Sequence, residues 1–132
     1  MLEHPNALLV HQCLQSVTLG DRETLRALWA DDVVWQVKGA TPWQGEIKGA
    51  NSIFEYLAQL GEVGEGGVQT HIEDVLVSSK RIAVLSHVYA EFEDRVLDAD
   101  FVVLLEMAGR KIQKITSIPV DADRVKEFWR GL

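Results

Sequence analysis

Apolar residues repeat at helical spacing in the first part of the chain and at strand spacing in the second part. An apolar residue at every third or fourth position indicates an amphipathic helix, whereas strict alternation indicates a half-buried strand. The helical spacing predicts three helices, over about 6–19, 21–29 and 51–60. Asp21 is placed to cap the second helix, because its carboxylate can accept the free N–H groups of the first turn.

After residue 67 the period changes from helical to alternating. The alternation predicts four consecutive strands, at 68–77, 81–92, 96–106 and 111–119, with short polar turns between them. One earlier strand is predicted at 33–37, and 39–49 is predicted to be a structured loop because it contains several glycines and Pro42. A short terminal helix is predicted to start at Asp121 and to carry Val125, Phe128 and Trp129.

This order of elements is typical of a single α+β domain. The 132 residues suffice for one domain and are too few for two ordinary ones. The run 102–105 is apolar on both faces of its strand, which implies that both faces of the sheet are covered. The helices can cover one face. We expect a second copy of the chain to cover the other, so that the protein is a homodimer through its sheet.

Composition and charge bear on the partners and the location expected for the protein. The net charge is −7, from 20 acidic and 13 basic residues, and the basic residues are scattered, so we expect no nucleic-acid partner. No stretch of about 18 apolar residues is present, so we expect no membrane span. Cys13 is the single cysteine and cannot form an internal disulfide. Residues 1–5 lack the features of a signal peptide, and together these observations predict a cytoplasmic protein.

Several short motifs, in order along the chain, carry a family resemblance. They are Ala-Asp-Asp-Val-Val-Trp at 30–35, Gly-Ala-Thr-Pro-Trp-Gln-Gly at 39–45, Lys-Gly at 48–49, and further segments at 72–76, 88–91, 109–112 and 119–129. Through them, nearly the whole chain resembles the ketosteroid isomerase and SnoaL-like superfamily, whose fold is also called nuclear-transport-factor-two-like. The resemblance implies a cone-shaped α+β barrel around an apolar pocket. In that barrel a curved, mostly antiparallel sheet is wrapped by three N-terminal helices and followed by a short C-terminal helix.

The resemblance also implies which side chains face the pocket. On the long strand at 81–92 these are His87 and Tyr89, together with Ala83 and Leu85, since residues two apart share a face. The other implied pocket residues are Trp35, Val37, Trp43, Tyr56, Phe101, Val103, Thr116 and Ile118. The implied ligand is a small apolar molecule.

The carboxylates of the best-known relatives are missing from the matching positions. Ketosteroid isomerases use a carboxylate base, where this chain has Val37, and a protonated acid, which would fall near Phe101 or Val103. Limonene epoxide hydrolases resemble this chain through the same scaffold, and His87 and Ile118 are among the positions where a carboxylate would be needed. Neither mechanism is therefore expected here.

His87 and Tyr89 remain as candidate catalytic groups. Histidine serves as a general acid or base near neutral pH, and tyrosine can donate a hydrogen bond to a developing oxyanion. The two groups can instead satisfy each other or backbone groups in a partly polar core. Asp98 and Asp100 share a face; they form either an acid–base pair, with Asp100 turned inward by a one-residue shift of register, or a solvated cluster with Arg95.

These residues leave two functions open. One is an isomerase, cyclase or hydrolase of a small hydrophobic metabolite that uses His87 and Tyr89 for general acid–base chemistry. The other is a non-catalytic small-ligand-binding or dimerisation module. We expect no cofactor and no metal, since the four histidines lack a ligand spacing such as His-x-x-x-His near a carboxylate.

Overall fold

One six-stranded sheet and four helices make up the computed structural model, which describes residues 5–64 and 66–131. The elements are α1 (Pro5–Leu19), α2 (Arg22–Leu28), β1 (Trp29–Val37), β2 (Gly45–Lys48), α3 (Ala50–Gly61), β3 (Gln69–Val77), β4 (Arg81–Phe92), β5 (Arg95–Ala108), β6 (Lys111–Pro119) and α4 (Ala122–Trp129). Within this described part, no helix has the length and hydropathy needed to span a membrane. Residues 1–4, which entered the signal-peptide argument, and Glu65 lie outside it.

The strands lie side by side in the order β2-β1-β6-β5-β4-β3. Strands β3 to β6 form an antiparallel meander, as the alternation predicts, and β1 joins it by parallel pairing with β6. The short β2 pairs antiparallel with β1 at the edge. The predicted α+β class and the mostly antiparallel sheet are therefore confirmed.

Two predicted helix starts are confirmed by their caps. Asp21 Oδ1 accepts a hydrogen bond from the backbone N–H of Thr24 at 3.2 Å, and Asp121 Oδ1 accepts one from the N–H of Arg124 at 3.2 Å. Each carboxylate satisfies an N–H group that has no partner within its own helix. The aspartates therefore mark where α2 and α4 begin.

Two boundaries near β1 differ from the prediction. Trp29 was expected to lie on the apolar face of the second helix, but it begins β1, where it is 1% exposed and stacks on Phe54 with ring centroids 5.4 Å apart. Packing of a large ring between elements overrides the weak local helical pattern there. Strand β2 lies inside the predicted loop. It is too short to show a period of its own and is defined by its pairing with β1, in which Ile47 is opposite Trp35.

The two faces of the sheet differ in what covers them. On β4, Ile82, Val84, Val88 and Ala90 are buried in the two clusters of core residues to which the helices contribute. We call this side the helix face and the opposite side the open face. The ladder between β4 and β5 has no register shift, so the alternation between the two faces holds along all of β4.

His87 and Tyr89 consequently lie on the open face, together with Ala83 and Leu85, and the expectation that this set faces inward is wrong. The even-numbered residues of β4 are the ones that pack with the helices. That set contains Ser86 as its one polar member, whereas the odd-numbered set carries His, Tyr and Glu. Burying the more apolar set removes more hydrocarbon surface from water.

Thr116 and Ile118 also lie on the open face, which corrects their expected inward direction. The register of β5 with β6 shifts near the start of β6, where one residue is inserted. As a result Ile112 and Ile115, three positions apart, are both buried in the same core cluster. A bulge of this kind exchanges the faces of every residue that follows it.

Two clusters of buried residues form the core on the helix face. The larger one joins α1, α2 and α3 to β1, β4, β5 and β6, and the smaller one joins α4 to β4 and β5. Cys13 on α1 belongs to the larger cluster and is 2% exposed, and burial raises the pKa of its thiol to about 11. Cys13 is therefore a core residue.

Replacing a leucine in the larger cluster should destabilise the protein far more than replacing an exposed one. Leu105 is 1% exposed, whereas Leu19 at the end of α1 is 71% exposed. We expect Leu105→Ala to lower the free energy of unfolding by about 2–5 kcal/mol, from lost burial and a residual cavity. Leu19→Ala should change it by roughly 0.5 kcal/mol or less. Urea unfolding followed by circular dichroism measures both, and equal losses would contradict the assigned core.

Candidate functional site

Five aromatic side chains make successive ring contacts on the helix face; we call them the aromatic cluster. Its members are Trp35, Trp43, Tyr56, Phe128 and Trp129. The ring centroids of Tyr56 lie 5.7 Å from those of Trp35 and of Trp43, and Trp43 lies 5.0 Å from Trp129. All of these contacts are edge-to-face, the geometry that aromatic quadrupoles favour.

Four different parts of the fold supply the aromatic cluster. Trp35 comes from β1 and Tyr56 from α3, while Trp43 lies in the segment between β1 and β2 and the remaining two rings belong to α4. The indole N–H of Trp35 donates to Ser117 Oγ at 2.9 Å, and that of Trp43 donates to Gln59 Oε1 at 2.6 Å. These bonds fix the orientation of both indoles, and Trp43 is only half-buried.

Tyr56 is the ionisable member of the aromatic cluster. It is 8% exposed, and burial raises the pKa of its phenol well above the ordinary value for tyrosine. Desolvation disfavours the charged form, so the hydroxyl keeps its proton at neutral pH. Tyr56 can therefore donate a hydrogen bond and cannot act as a base.

The buried groups around the aromatic cluster include no charged side chain. Among the described residues, no Asp, Glu, His, Lys or Arg side chain is buried. The polar groups of the strands on this side include the hydroxyls of Ser86, which donates to the carbonyl of Phe101 at 3.4 Å, and of Ser117. The buried part of the helix face can therefore orient a ligand by ring contacts and hydrogen bonds.

The structure brings most of the predicted pocket residues to one side. Strand β1 places Val37 on the helix face with Trp35, and β5 places Phe101 and Val103 there, opposite Ser86 and Val84 of β4. The surface has two grooves: one of about 410 Å³ near the start of α3, and one of about 820 Å³ between β5 and α4, which Phe128 of the aromatic cluster lines. Neither groove is lined by a predicted pocket residue, so a pocket against the aromatic cluster stays a prediction.

The two predicted catalytic residues, His87 and Tyr89, lie on the open face, where each is hydrogen-bonded to a different partner. Nδ1 of His87 lies 2.8 Å from Asp100 Oδ1, and its Nε2 is hydrogen-bonded to Asp98. The bonds to Asp100 and then Asp98 raise the pKa of His87. Tyr89 donates instead to Glu91. The two side chains thus satisfy carboxylates and not each other, and a catalytic role inside a pocket has no geometric basis.

The aspartates on β5 do share a face, as their spacing predicts, but their partner differs from the expected one. They bind His87, whereas Arg95 donates to the backbone carbonyls of Phe128 at 3.0 Å and of Arg130 at 2.5 Å, at the end of α4. Asp100 does not turn toward the helix face, because it is the direct ladder partner of His87 on the open face.

Four residues of the site were not predicted from the sequence. Ser117 and Gln59 accept hydrogen bonds from the two indoles, and Trp129 contacts Trp43 and Phe128, although both α4 residues were predicted only as part of the terminal helix. The bulge in β6 hides Ser117, since without it Ser117 belongs to the other face. The helical spacing from Tyr56 to Gln59 is the one local signal that places Gln59 near the cluster.

A mostly antiparallel sheet with helices on one face and aromatic groups between them is the nuclear-transport-factor-two-like architecture. The chain belongs to the SnoaL-like domain family, whose model matches residues 10–115. The uncharacterised protein Rv0034 of Mycobacterium tuberculosis is 24% identical over 122 residues, covering 92% of this chain and 93% of that protein.

Solved structures agree with that assignment. Bal32a, from a soil-derived mobile gene cassette, has a TM-score of 0.86 and 25% identity over 95% of this chain and 96% of its own. TerC, co-crystallised with polyporic acid, has a TM-score of 0.80 and 20% identity over 97% of this chain and all of its own. The fold is therefore shared along essentially the whole length.

Ionisation of Tyr56 should be coupled to unfolding. The folded state keeps this proton at a pH at which the unfolded chain loses it, near the ordinary tyrosine pKa of about 10. Because this pKa is raised on folding, Tyr56 lowers the stability progressively as the pH rises above about 10. We expect Tyr56→Phe to unfold at a higher pH than the wild type.

The chain has two tyrosines, so Tyr89→Phe leaves Tyr56 as the only reporter. In that variant the tyrosinate absorbance should rise together with the loss of near-ultraviolet circular dichroism. An absorbance rise that is complete while the protein is still folded would contradict the buried position of Tyr56.

Proposed function

We propose that this protein binds a small, mainly apolar ring compound against the aromatic cluster, with the hydroxyl of Tyr56 as a hydrogen-bond donor. The observation that carries the proposal is the chain of edge-to-face rings around a tyrosine that stays protonated. Flat aromatic walls with a few polar groups are the usual lining of a small-molecule site. The half-buried Trp43 provides the side from which a ligand approaches.

The ligand class is supported by a structural relative as well as by the rings. TerC was co-crystallised with polyporic acid. A ring compound can stack on or meet the edges of Trp35 and Trp43, and an oxygen on it can accept from Tyr56. Binding of this type depends on ring area and needs no proton transfer.

The non-catalytic function is favoured over general acid–base catalysis. An isomerase, cyclase or hydrolase that moves protons needs a base beside its substrate. Among the described residues, no side chain with a carboxylate, an imidazole or an amine is buried. His87 and Tyr89 lie on the other face of the sheet. The aromatic cluster is accordingly a binding site that positions a ligand without abstracting a proton from it.

Removing the Tyr56 hydroxyl should weaken ligand binding while leaving the ring in place. With polyporic acid as the first probe, followed by a panel of apolar ring compounds, titration should change the tryptophan emission of the wild type. Tyr56→Phe should raise the dissociation constant roughly two- to tenfold, the net value of one hydrogen bond.

The matched control is Tyr89→Phe, which makes the same chemical change on the open face and should leave the dissociation constant unchanged. An emission that no ring compound alters, or equal effects of the two substitutions, would rule out this site.

We also propose that the open face pairs with a second copy of the chain. Its centre is apolar: Leu85, Val102 and Leu104 are half-buried there, and Ile118 and Leu76 are 36% and 54% exposed. Adjacent apolar side chains across several strands form a continuous patch, which isolated monomers seldom leave in water. A two-fold axis would bring the same patch of each copy together, which makes the contact self-complementary.

A charge placed in the middle of the open face should prevent this pairing. Leu104 lies between Ala83 and Thr116 across the sheet. We expect the wild type to sediment at twice the chain mass of 14.8 kDa and Leu104→Glu at the single mass. Val120→Glu is the control, because Val120 is 66% exposed and follows the last strand. A wild type that sediments at 14.8 kDa would disprove the dimer.

A further inference from the structure

Three neighbouring strands bring a histidine and two carboxylates together on the open face. Glu73 comes from β3, His87 from β4 and Asp100 from β5. One ligand atom from each side chain lies within 4.8 Å of the other two. His87 and Asp100 are direct partners in the β4–β5 ladder, so the sheet itself holds two of the three groups in register.

The position of Glu73 depends on an irregularity in β3. The register of β3 with β4 shifts between Ile72 and Asp74, which leaves Glu73 as the inserted residue of a bulge. Ile72 and Val75, on either side, both pack against the larger core cluster. A bulge redirects a side chain without interrupting the sheet. Here it places a third group beside His87.

The imidazole of His87 is oriented as a metal ligand usually is. Asp98 is hydrogen-bonded to Nε2, while Nδ1 is hydrogen-bonded to Asp100 at 2.8 Å, a bond that the ion would replace by binding both atoms. Histidine ligands commonly have one ring nitrogen held by a carboxylate, which fixes the tautomer and leaves the other nitrogen for the ion. Asp98 is a positioning residue in this arrangement, and the ligand nitrogen is Nδ1.

The local charge also favours a bound cation over an anion. Glu73, Asp98 and Asp100 surround one imidazole, and in the described part of the chain none of the three carboxylates lies within 4.0 Å of a Lys or Arg nitrogen. Protonation of His87 supplies at most one positive charge. An imidazolium held between Asp98 and Asp100 accounts for those two aspartates but not for Glu73.

We propose that Glu73, His87 and Asp100 bind a divalent transition-metal ion, and that Asp98 orients the histidine. One imidazole nitrogen and two carboxylate oxygens suit Zn²⁺ and its neighbours in the series. Ligands about 2.0–2.2 Å from a tetrahedral ion lie roughly 3.3 Å apart. Nδ1 of His87 and Oδ1 of Asp100, now 2.8 Å apart, would separate slightly to admit the ion, and Glu73 would lie within 4.8 Å of both before any adjustment. The side chains of His87 and Asp100 are 36% and 59% exposed, which lets water complete the coordination. The site is separate from the aromatic cluster, on the opposite face of the sheet.

Calorimetric titration of the untagged wild-type chain with ZnCl₂ tests the site. We expect one Zn²⁺ per chain, and at least a tenfold weaker affinity in each of His87→Gln, Asp100→Asn and Glu73→Gln. Asp98→Asn should weaken binding roughly ten- to a hundredfold, as loss of a supporting partner does. His11→Ala is the matched control, since it removes an exposed histidine from α1 and should leave the affinity unchanged.

The visible absorption of bound Co²⁺ reports on the ligands of the ion, so a substitution with a purely structural effect would not change it. The wild type loaded with Co²⁺ should show a visible absorption band that is lost in His87→Gln and shifted in Asp98→Asn, while circular dichroism shows both variants folded. Failure of the wild type to bind Zn²⁺ would overturn the proposal. So would equal losses of affinity in His87→Gln and His11→Ala, because these would indicate nonspecific binding to the acidic surface.

Discussion

The unshifted pairing of β4 with β5 is the constraint on which the rest of this structure depends. The ladder joins every residue of β4 to a partner on β5, so the face taken by one side chain determines the face of all the others. Burial of Ile82 and Val84 beneath the helices commits Leu105 and Val103 to the same side. A slip of one residue would expose this entire set to water, and the loss of buried apolar surface prevents it.

The same constraint separates the two kinds of chemistry in the molecule. The aromatic cluster and the hydroxyls of Ser86 and Ser117 are on the helix face, whereas the histidine and carboxylate groups of β4 and β5 are on the open face. A buried carboxylate or imidazole would have to lose its hydration or find a partner. The chain avoids that cost on the helix face. One consequence is that the interior can hold a ring but is poorly equipped to move a proton.

Bulges in two of the ladders change the direction that regular alternation would give to some side chains. The bulge in β6 turns Ser117 toward Trp35, and the bulge in β3 turns Glu73 toward His87. Both features depend on a single inserted residue. Both also lie next to the groups that carry the proposed functions, as bulges often do near functional sites.

The sequence by itself determined the elements and the class of fold. The periods, the caps at Asp21 and Asp121 and the polar turns are local signals, and they located four helices and five of the six strands. The family resemblance of the motifs added Trp35, Trp43 and Tyr56 of the site. Only the tertiary structure decided which way β4 faces, where β6 bulges, and that His87 meets Asp98 and Asp100. On β4 both alternating sets contain apolar residues, so the pattern is ambiguous until the helices cover one of them. A bulge changes the phase of the alternation, as it does between Ile112 and Ile115, but the period alone does not show that the change is a bulge, because its cause is the pairing with another strand.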